Sequence, residues 1–223
     1  MKIVAIVPIK LNNERLPGKN TKRFDDGTPL ISFILTTLLK VPELNEIYVY
    51  CSDESIKEYL PHGILFLKRD TELDHSETKG NQILEKFVNT VDADIYVLSH
   101  TTAPFTKPES ISKCIQGVLS GNFDSGFLAR SLHELMWTDT GPLNFDAHNV
   151  PRTQDLPKIY AETSGAFVFT KDTFKKYKSR NGKKPFICEV STIESIDIDY
   201  PEDFVIANAI YKELISLNSV KPR

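Results

Sequence analysis

The chain has 223 residues, of which 40% are hydrophobic and 26% charged, and its formal net charge is −3, which are ordinary values for a globular protein. This length is sufficient for a hydrophobic core without a metal or disulfide. No apolar run is long enough to cross a bilayer, and the slightly acidic charge balance lacks the basic stripe that nucleic-acid binding requires. We therefore expect a single domain, in the cytoplasm, that acts on a small molecule.

Strands and helices are predicted to alternate along the first half of the sequence. The near-continuous apolar character of the predicted strands indicates that both faces of the sheet are covered. Such alternation predicts a three-layer α/β fold with a mostly parallel sheet. The predicted strands are residues 2–8, 47–51, 64–67, 95–98 and 123–129, and the predicted helices are residues 30–39, 52–60, 79–90 and 108–119.

This alternation stops after Ala129. The next thirty or so residues, to about Tyr160, are rich in His, Asn, Pro and Asp and show no clear period. Because so long a loop is uncommon in a compact domain, we predict a functional insertion at about residues 130–160. Beyond it, strands are predicted at residues 165–170 and 185–190, a short alternating stretch at 196–199, and an amphipathic helix from Pro201 to about residue 217.

The loop after the first predicted strand is rich in cations. Lys10, Arg15 and Lys19 fall within ten residues, and Gly18 permits close approach of the backbone to a phosphate. Ligands of open α/β sheets bind at the carboxyl ends of the strands, where this loop begins. The loop suits a triphosphate, and the alternative is a solvated basic surface loop.

Two acidic residues alternate with two isoleucines near the C-terminal end. In an extended segment Ile196 and Ile198 would face the core, and Asp197 and Asp199 would share the other face. Neighbouring carboxylates repel each other, and a divalent cation such as Mg²⁺ relieves that repulsion. The alternative is that Asp199 caps the helix that Pro201 begins, while Asp197 is solvated.

These motifs resemble those of the acylneuraminate cytidylyltransferase family, the CMP-sialic acid synthetases and their relatives. The resemblance rests on the strand that ends at Pro8, on the sequence Arg-Leu-Pro-Gly-Lys-Asn at residues 15–20, and on the Asp-x-Asp that precedes Pro-Glu-Asp. It implies a Rossmann-like nucleotidyltransferase fold and Mg²⁺-dependent transfer of CMP from CTP to an acidic acceptor. The acceptor would be a sialic-acid-like nonulosonic or ulosonic acid, used for cell-surface glycans, and pyrophosphate would be released.

The resemblance also implies roles for the residues of these motifs. Lys19 would act catalytically on a phosphate, and Asn20 would contact the nucleotide. Asp197 and Asp199 would hold Mg²⁺, and Asp199 would thereby take part in catalysis. The remaining loop positions predicted to bind the nucleotide are Lys10, Asn13 and Arg15.

Smaller motifs extend the resemblance to the base and acceptor sites. Arg69 lies in a segment that is similar to the family's Arg-x-x-Glu-Leu near the cytosine. His100 replaces a family Gln at the end of the fourth strand, where it would bind the acceptor or act as a base. By the same resemblance Arg152 and Gln154 would bind the acceptor's carboxylate and hydroxyls, and Ser164, in place of a family Asn, would line the pocket.

In this family the insertion forms an arm that exchanges with a second subunit. The resemblance therefore implies a homodimer with contacts through Met136, Trp137 and residues 185–186, whereas the simpler alternative is that Trp137 packs on its own domain. Three other functions remain possible at this stage. The acceptor could be a phosphonate or another acid, or the Asp-x-Asp could belong to a glycosyltransferase. The chain could also be a nucleotide-binding protein without catalytic activity, because Glu14 places a negative charge in the phosphate loop.

Overall fold

A computed structural model describes residues 1–219 of the chain. Along these residues, strands alternate with helices as the sequence predicts, and 3-10 turns occur at Lys19–Thr21, Glu54–Tyr59, Thr71–Asp74 and Thr153–Asp155. Within the described part, no helix is both long and apolar enough to cross a membrane. The elements are β1 (Ile3–Ile9), α1 (Leu30–Leu38), β2 (Glu46–Cys51), β3 (Leu65–Lys68), α2 (Gly80–Thr90), β4 (Ile95–Leu98), α3 (Pro108–Leu119), β5 (Ser125–Leu132), β6 (Trp137–Thr138), β7 (Gly141–Pro142), β8 (Ile159–Thr170), α4 (Lys171–Tyr177), β9 (Pro185–Glu189) and α5 (Pro201–Ser219).

The central sheet of residues 1–219 has seven strands in the order β3-β2-β1-β4-β8-β5-β9. β8 is antiparallel to both of its neighbours, and the other adjacent strands run parallel. The predicted mostly parallel α/β sheet is therefore confirmed. Because β8 runs backwards, Phe167 pairs with Leu98 at the carboxyl end of β4, and Ser164 lies just beyond that end. The residues around Ser164 thus join the edge of the sheet at which β1 and β4 end.

Helices cover both faces of the sheet. Since successive side chains of a strand point to opposite faces, each strand contributes to two separate clusters. On β1, Ala5 and Val7 belong to one buried cluster, together with the buried faces of α1 and α3. Val4 and Ile6 belong to a second cluster, with residues of α2 and α4. A third cluster, whose members include Leu16, Phe24, Ile198 and Phe204, joins α5 to the loop that follows β1.

Two predicted elements are wrong. The helix predicted at 52–60 is the 3-10 turn Glu54–Tyr59, which begins after Asp53, whose carboxylate accepts a hydrogen bond from the Ser55 amide. Residues 196–199 are not a strand, because the Ile198 amide bonds to the Thr102 carbonyl, in the loop after β4, and not to a strand of the sheet. Burial nonetheless alternates there, since Ile198 is buried while Asp197 is exposed.

The insertion is shorter than predicted, and α4 was not predicted at all. β5 continues to Leu132, and β8 begins at Ile159, six residues before the strand predicted at 165–170. These two strands pair across their whole length, with a register shift between Phe127 and Ala129. Residues 133–158, called the insert below, contain the small hairpin β6–β7.

Candidate active site

Three cations of the loop after β1 line one cleft. Lys10, Arg15 and Lys19 surround a cavity of about 300 Å³ together with Asn13, and the remaining lining residues are Asn12, Glu14, Leu16 and Ser76. The structure therefore brings together the cations that the sequence singles out. Glu14 lies among them, so the charge of the cleft is reduced but its balance stays positive.

Asn20 stabilises this loop from within. Its amide nitrogen donates to the Lys10 carbonyl at 2.7 Å and to Oδ1 of Asn13 at 3.3 Å, and its amide oxygen accepts from the Thr101 hydroxyl. Asn20 is buried, and these bonds use both amide hydrogens. In this arrangement Asn20 positions the loop, and the predicted contact with a nucleotide would use the second acceptor position of its amide oxygen.

Lys19 links the cationic loop to the acidic segment before α5. Its Nζ donates to the Ile198 carbonyl at 2.8 Å and to Oδ1 of Asp199 at 3.0 Å, and only 10% of its side chain is exposed. Arg15 Nη1 contacts the other oxygen of the same carboxylate, Asp199 Oδ2, at 3.0 Å. Two motifs separated by about 180 residues in the sequence therefore form one cluster of charges.

The two carboxylates are satisfied by different partners. Asp197 Oδ2 accepts a hydrogen bond from the Ser164 hydroxyl at 2.9 Å, whereas Asp199 is held by the two cations. Asp203, in the first turn of α5, accepts hydrogen bonds from the amides of Asp199 and Tyr200. Asp203 therefore caps the start of α5, and Asp199 is left to interact with groups in the cleft.

The donor set fits a magnesium ion that also binds substrate. Among residues 1–219, no group of three or more His, Cys, Asp or Glu side chains is arranged to hold a metal by itself. Mg²⁺ commonly takes one or two protein carboxylates and completes its shell with substrate phosphates and water. Asp199 provides one such carboxylate next to the cations, and Asp197, whose carboxylate accepts the Ser164 hydrogen bond, is the second candidate ligand.

His100 lies at the carboxyl end of β4, next to the acidic pair. Its amide donates to the Ser164 carbonyl at 3.1 Å, and its ring meets the Phe167 ring edge-on. Burial, together with the positive charges of Arg180 and Lys19, lowers the pKa of His100 from 6.5 to about 4. His100 is therefore neutral at pH 7, which suits a hydrogen bond to a substrate better than a role as a strong base.

Arg69, predicted to contact a base, is buried. Its guanidinium pairs with Asp74, which lies in the 3-10 turn after β3, and lies 5.8 Å from the centre of the Tyr50 ring. Its Nε is buried and has no hydrogen-bond partner within residues 1–219. Its role toward a base stays a prediction.

Gln154 lies in the 3-10 turn Thr153–Asp155 of the insert, Arg152 directly precedes that turn, and both residues are exposed. Arg152 makes a two-pronged ion pair with Asp155, at 2.7 and 3.1 Å. This local pair holds the guanidinium on the insert. The predicted contact of Arg152 and Gln154 with the acceptor therefore stays a prediction.

Some residues of this region were missed at the sequence level. Thr101 anchors Asn20, and Arg180 lies over the Phe167 ring beside His100. Nothing in the sequence separates Arg180 from the lysines around it. Only the fold of the segment between α4 and β9 brings this one cation to the edge of the sheet.

Comparisons with solved structures identify the fold. The fold matches CMP:2-keto-3-deoxy-manno-octonic acid synthetase complexed with CTP, with a TM-score of 0.70 and 16% identity over 96% of this chain and 99% of that one. It also matches the 2-C-methyl-D-erythritol 4-phosphate cytidylyltransferase of Francisella tularensis, with a TM-score of 0.70 and 16% identity over 94% of this chain and 99% of that one. The fold is thus that of a nucleotidyltransferase.

The sequence comparisons then give the family. The model of the family described as "Cytidylyltransferase" matches residues 4–218, so the chain belongs to the cytidylyltransferase family. The chain is 23% identical over 216 residues to the N-acylneuraminate cytidylyltransferase of Oncorhynchus mykiss, which covers 92% of this chain but 49% of that protein. It is 25% identical over 234 residues to the CMP-N,N'-diacetyllegionaminic acid synthase of Legionella pneumophila, over 98% of each chain.

The resemblance found in the sequence is thereby confirmed. The chain spans about half the length of the N-acylneuraminate cytidylyltransferases that it matches. It spans nearly all of the Legionella pneumophila synthase. The family match does not favour the alternative of a glycosyltransferase.

Proposed function

We propose that the chain catalyses CTP-dependent transfer of CMP to a sialic-acid-like sugar acid, with release of pyrophosphate. The observation that carries the proposal is the contact of the cationic loop with the acidic segment, in which Lys19 and Arg15 hold Asp199 at the carboxyl edge of the sheet. The choice of acceptor is supported by the relatives, which are named for N-acylneuraminate and N,N'-diacetyllegionaminic acid.

In the proposed reaction, an oxygen of the acceptor attacks the α-phosphorus of CTP in line with the leaving pyrophosphate. For a sugar acid of this class, the attacking oxygen is the anomeric hydroxyl. Lys10, Arg15 and Lys19 would hold the triphosphate in the cleft and neutralise the negative charge that moves onto the pyrophosphate. Catalysis would thus come mainly from positioning and from charge neutralisation.

Mg²⁺ is part of this proposal, with Asp197 and Asp199 as its protein ligands. When bound, the ion would supply further charge neutralisation at the phosphates. Asp199 has a second task, because its carboxylate orients Lys19 and Arg15 toward the cleft before substrate binds. Ser164 would orient Asp197 through the hydrogen bond at 2.9 Å.

A homodimer in the cytoplasm, where CTP is available, completes the proposal. On the insert, the Trp137 side chain is 64% exposed, and Leu143 and Val150 are also largely exposed. The rings of Trp137 and Phe145 are 5.3 Å apart, so they present one apolar surface of the kind that a second subunit covers. Sedimentation velocity tests this part, since Trp137→Asp should yield monomers if the insert is the interface. A wild-type monomer at micromolar concentration would contradict it.

The activity is tested by pyrophosphate release from CTP and Mg²⁺. The acceptor panel comprises N-acetylneuraminate, N,N'-diacetyllegionaminate, 3-deoxy-manno-octulosonate and simple phosphonates. We expect turnover with at least one sugar acid, loss of that turnover in Asp199→Ala, and little change in Lys40→Met, which alters an exposed lysine after α1. Turnover with phosphonates alone would replace the proposed acceptor, and no turnover with any acid would refute the function.

A further inference from the structure

A second, smaller cavity lies beside His100. It has a volume of about 80 Å³, and it is bounded by Pro8 at the end of β1, by Leu98 and His100 at the end of β4, by the first turn of α2 and by Arg180. Except for His100 and Arg180, the side chains around it are mostly apolar. This cavity is separate from the cleft of the cationic loop, whose lining it does not share.

Arg180 is held over the sheet by an aromatic ring and a carboxylate. Its guanidinium carbon lies 3.4 Å from the centre of the Phe167 ring, and Nη2 pairs with Glu162 Oε2 at 3.0 Å. Asn181 donates to the other oxygen of Glu162 at 3.2 Å. Phe167 covers one face of the Arg180 guanidinium and Glu162 binds one of its nitrogens. The other N–H donors of the guanidinium therefore remain available to a ligand in the cavity.

The loop that carries Arg180 is fixed at its other end. The Asp124 carboxylate accepts hydrogen bonds from the amides of Lys183 and Lys184, at 2.7 and 3.0 Å, and the Ser125 hydroxyl accepts from the Gly182 amide at 2.9 Å. A Cβ at Gly182 would clash with the Asp124 carboxylate, which would have to give up its present position to accommodate it. Arg180 is therefore presented by an ordered loop, whereas a surface arginine normally moves freely.

The order of the strands tells which substrate Arg180 faces. The cationic loop follows β1, while Phe167 lies on β8, on the far side of β4. In the function proposed above, the phosphates of CTP occupy the cationic loop. The nucleoside of CTP carries no anionic group, so an anion bound at Arg180 belongs to the acceptor. His100 lines the same cavity, and its imidazole can form a hydrogen bond to an acceptor group that Arg180 binds.

Resting on the proposed function, we infer that Arg180 is a specificity-determining residue that binds the acceptor's carboxylate, with His100 as a hydrogen-bonding partner. Arg180 would then make the contact that the family resemblance implies for Arg152. Glu162 and Asn181 position the guanidinium. The segment between α4 and β9 would thus decide which acids the enzyme accepts.

The test uses steady-state kinetics of the full chain with the best acid of the panel used to test the activity. In Arg180→Gln, we expect the KM for the acid to rise about tenfold or more, while the KM for CTP changes less than twofold. The KM of Arg180→Lys for the acid should lie between the values of the wild type and of Arg180→Gln, because lysine keeps the charge but lacks the planar guanidinium. Lys183→Ala, which removes an equal charge from an exposed side chain of the same loop, is the matched control.

A neutral analogue identifies the group that Arg180 binds. The carboxamide of the same acid serves as a competitive inhibitor, and the ratio of its inhibition constant to the KM of the acid measures the preference for the carboxylate. We expect Arg180→Gln to lower this ratio about tenfold. Because both constants come from the folded enzyme, the ratio remains decisive even if the variant is less stable.

Two outcomes would overturn the inference while leaving the proposed function intact. One is wild-type turnover combined with an unchanged acid-to-amide ratio in Arg180→Gln. The other is an equal rise in the KM values of CTP and of the acid. Absence of wild-type turnover with every sugar acid would instead refute the proposed function, and with it this inference.

Discussion

Replacement of Lys19 by Met tests the link between the cationic loop and the acidic segment. Met retains most of the apolar stem of a side chain that is only 10% exposed, but it removes the bonds to the Ile198 carbonyl and to Asp199. A hydrogen bond to a charged group contributes about 1.5–3 kcal/mol. Since Arg15 still holds Asp199, we expect the unfolding free energy to fall by about 2 kcal/mol, and not by the larger amount that follows when a buried charge is left alone.

The same substitution should reduce activity far more than stability alone explains. If Lys19 neutralises charge on the phosphates in the transition state, its loss should lower kcat/KM by about 10²–10³-fold. Urea denaturation followed by circular dichroism gives the stability, and pyrophosphate release at saturating Mg²⁺ gives the activity of the folded protein. Lys40→Met, at an exposed site, provides the control for both measurements.

A Lys19→Met variant that loses the expected stability but keeps kcat/KM within about threefold of the wild type would refute the role of Lys19 toward phosphate. Lys19 would then serve only to hold the segment before α5. A loss of activity without any loss of stability would argue against the two hydrogen bonds in the free protein, and would leave the role toward phosphate in place.

Three further substitutions have distinct expected results. Asp199→Asn should raise the Mg²⁺ concentration for half-maximal activity at least about tenfold, because a neutral amide oxygen binds the ion more weakly than a carboxylate; an unchanged magnesium titration would exclude Asp199 as a ligand. For His100, the pKa of about 4 in the folded protein lies below the ordinary value of 6.5. Between these two pH values the unfolded chain binds more protons than the folded protein does. The wild-type unfolding free energy should therefore fall as the pH is lowered, by at most about 3 kcal/mol in total. His100→Gln should make that decline shallower when unfolding is measured at pH 7, 5.5 and 4.5, because only carboxylates with lowered pKa, such as Asp124, would still contribute. A pH profile identical to that of the wild type would show that His100 does not contribute. Gly182→Ala should lower the unfolding free energy by about 2 kcal/mol and raise the KM for the acceptor, because its Cβ meets Asp124 at 2.2 Å; an unperturbed variant would show that the loop adapts freely.

Local patterns were sufficient to predict much of the fold. The alternation of apolar runs with helical segments predicts the sheet and the helices that cover both its faces, because each pattern reports how its own residues are buried. In the segment 196–199 the local pattern and the structure disagree. Its alternating pattern is that of a strand, but the Ile198 amide bonds to the loop at Thr102, a partner about 100 residues away in the sequence. Local sequence records that Ile198 is buried and cannot record which backbone it meets.

The same division applies to the candidate site. The cations of residues 10–19 and the pair Asp197 and Asp199 stand out in the sequence, because phosphate and Mg²⁺ require those residue types close together. Their contact with each other is decided by the tertiary structure, since it joins segments about 180 residues apart. So is the placement of Arg180, which only the packing of its loop against Asp124 and Phe167 distinguishes from the neighbouring lysines. The sequence determines which chemical groups are available, whereas long-range packing sets the distances at which they form a site.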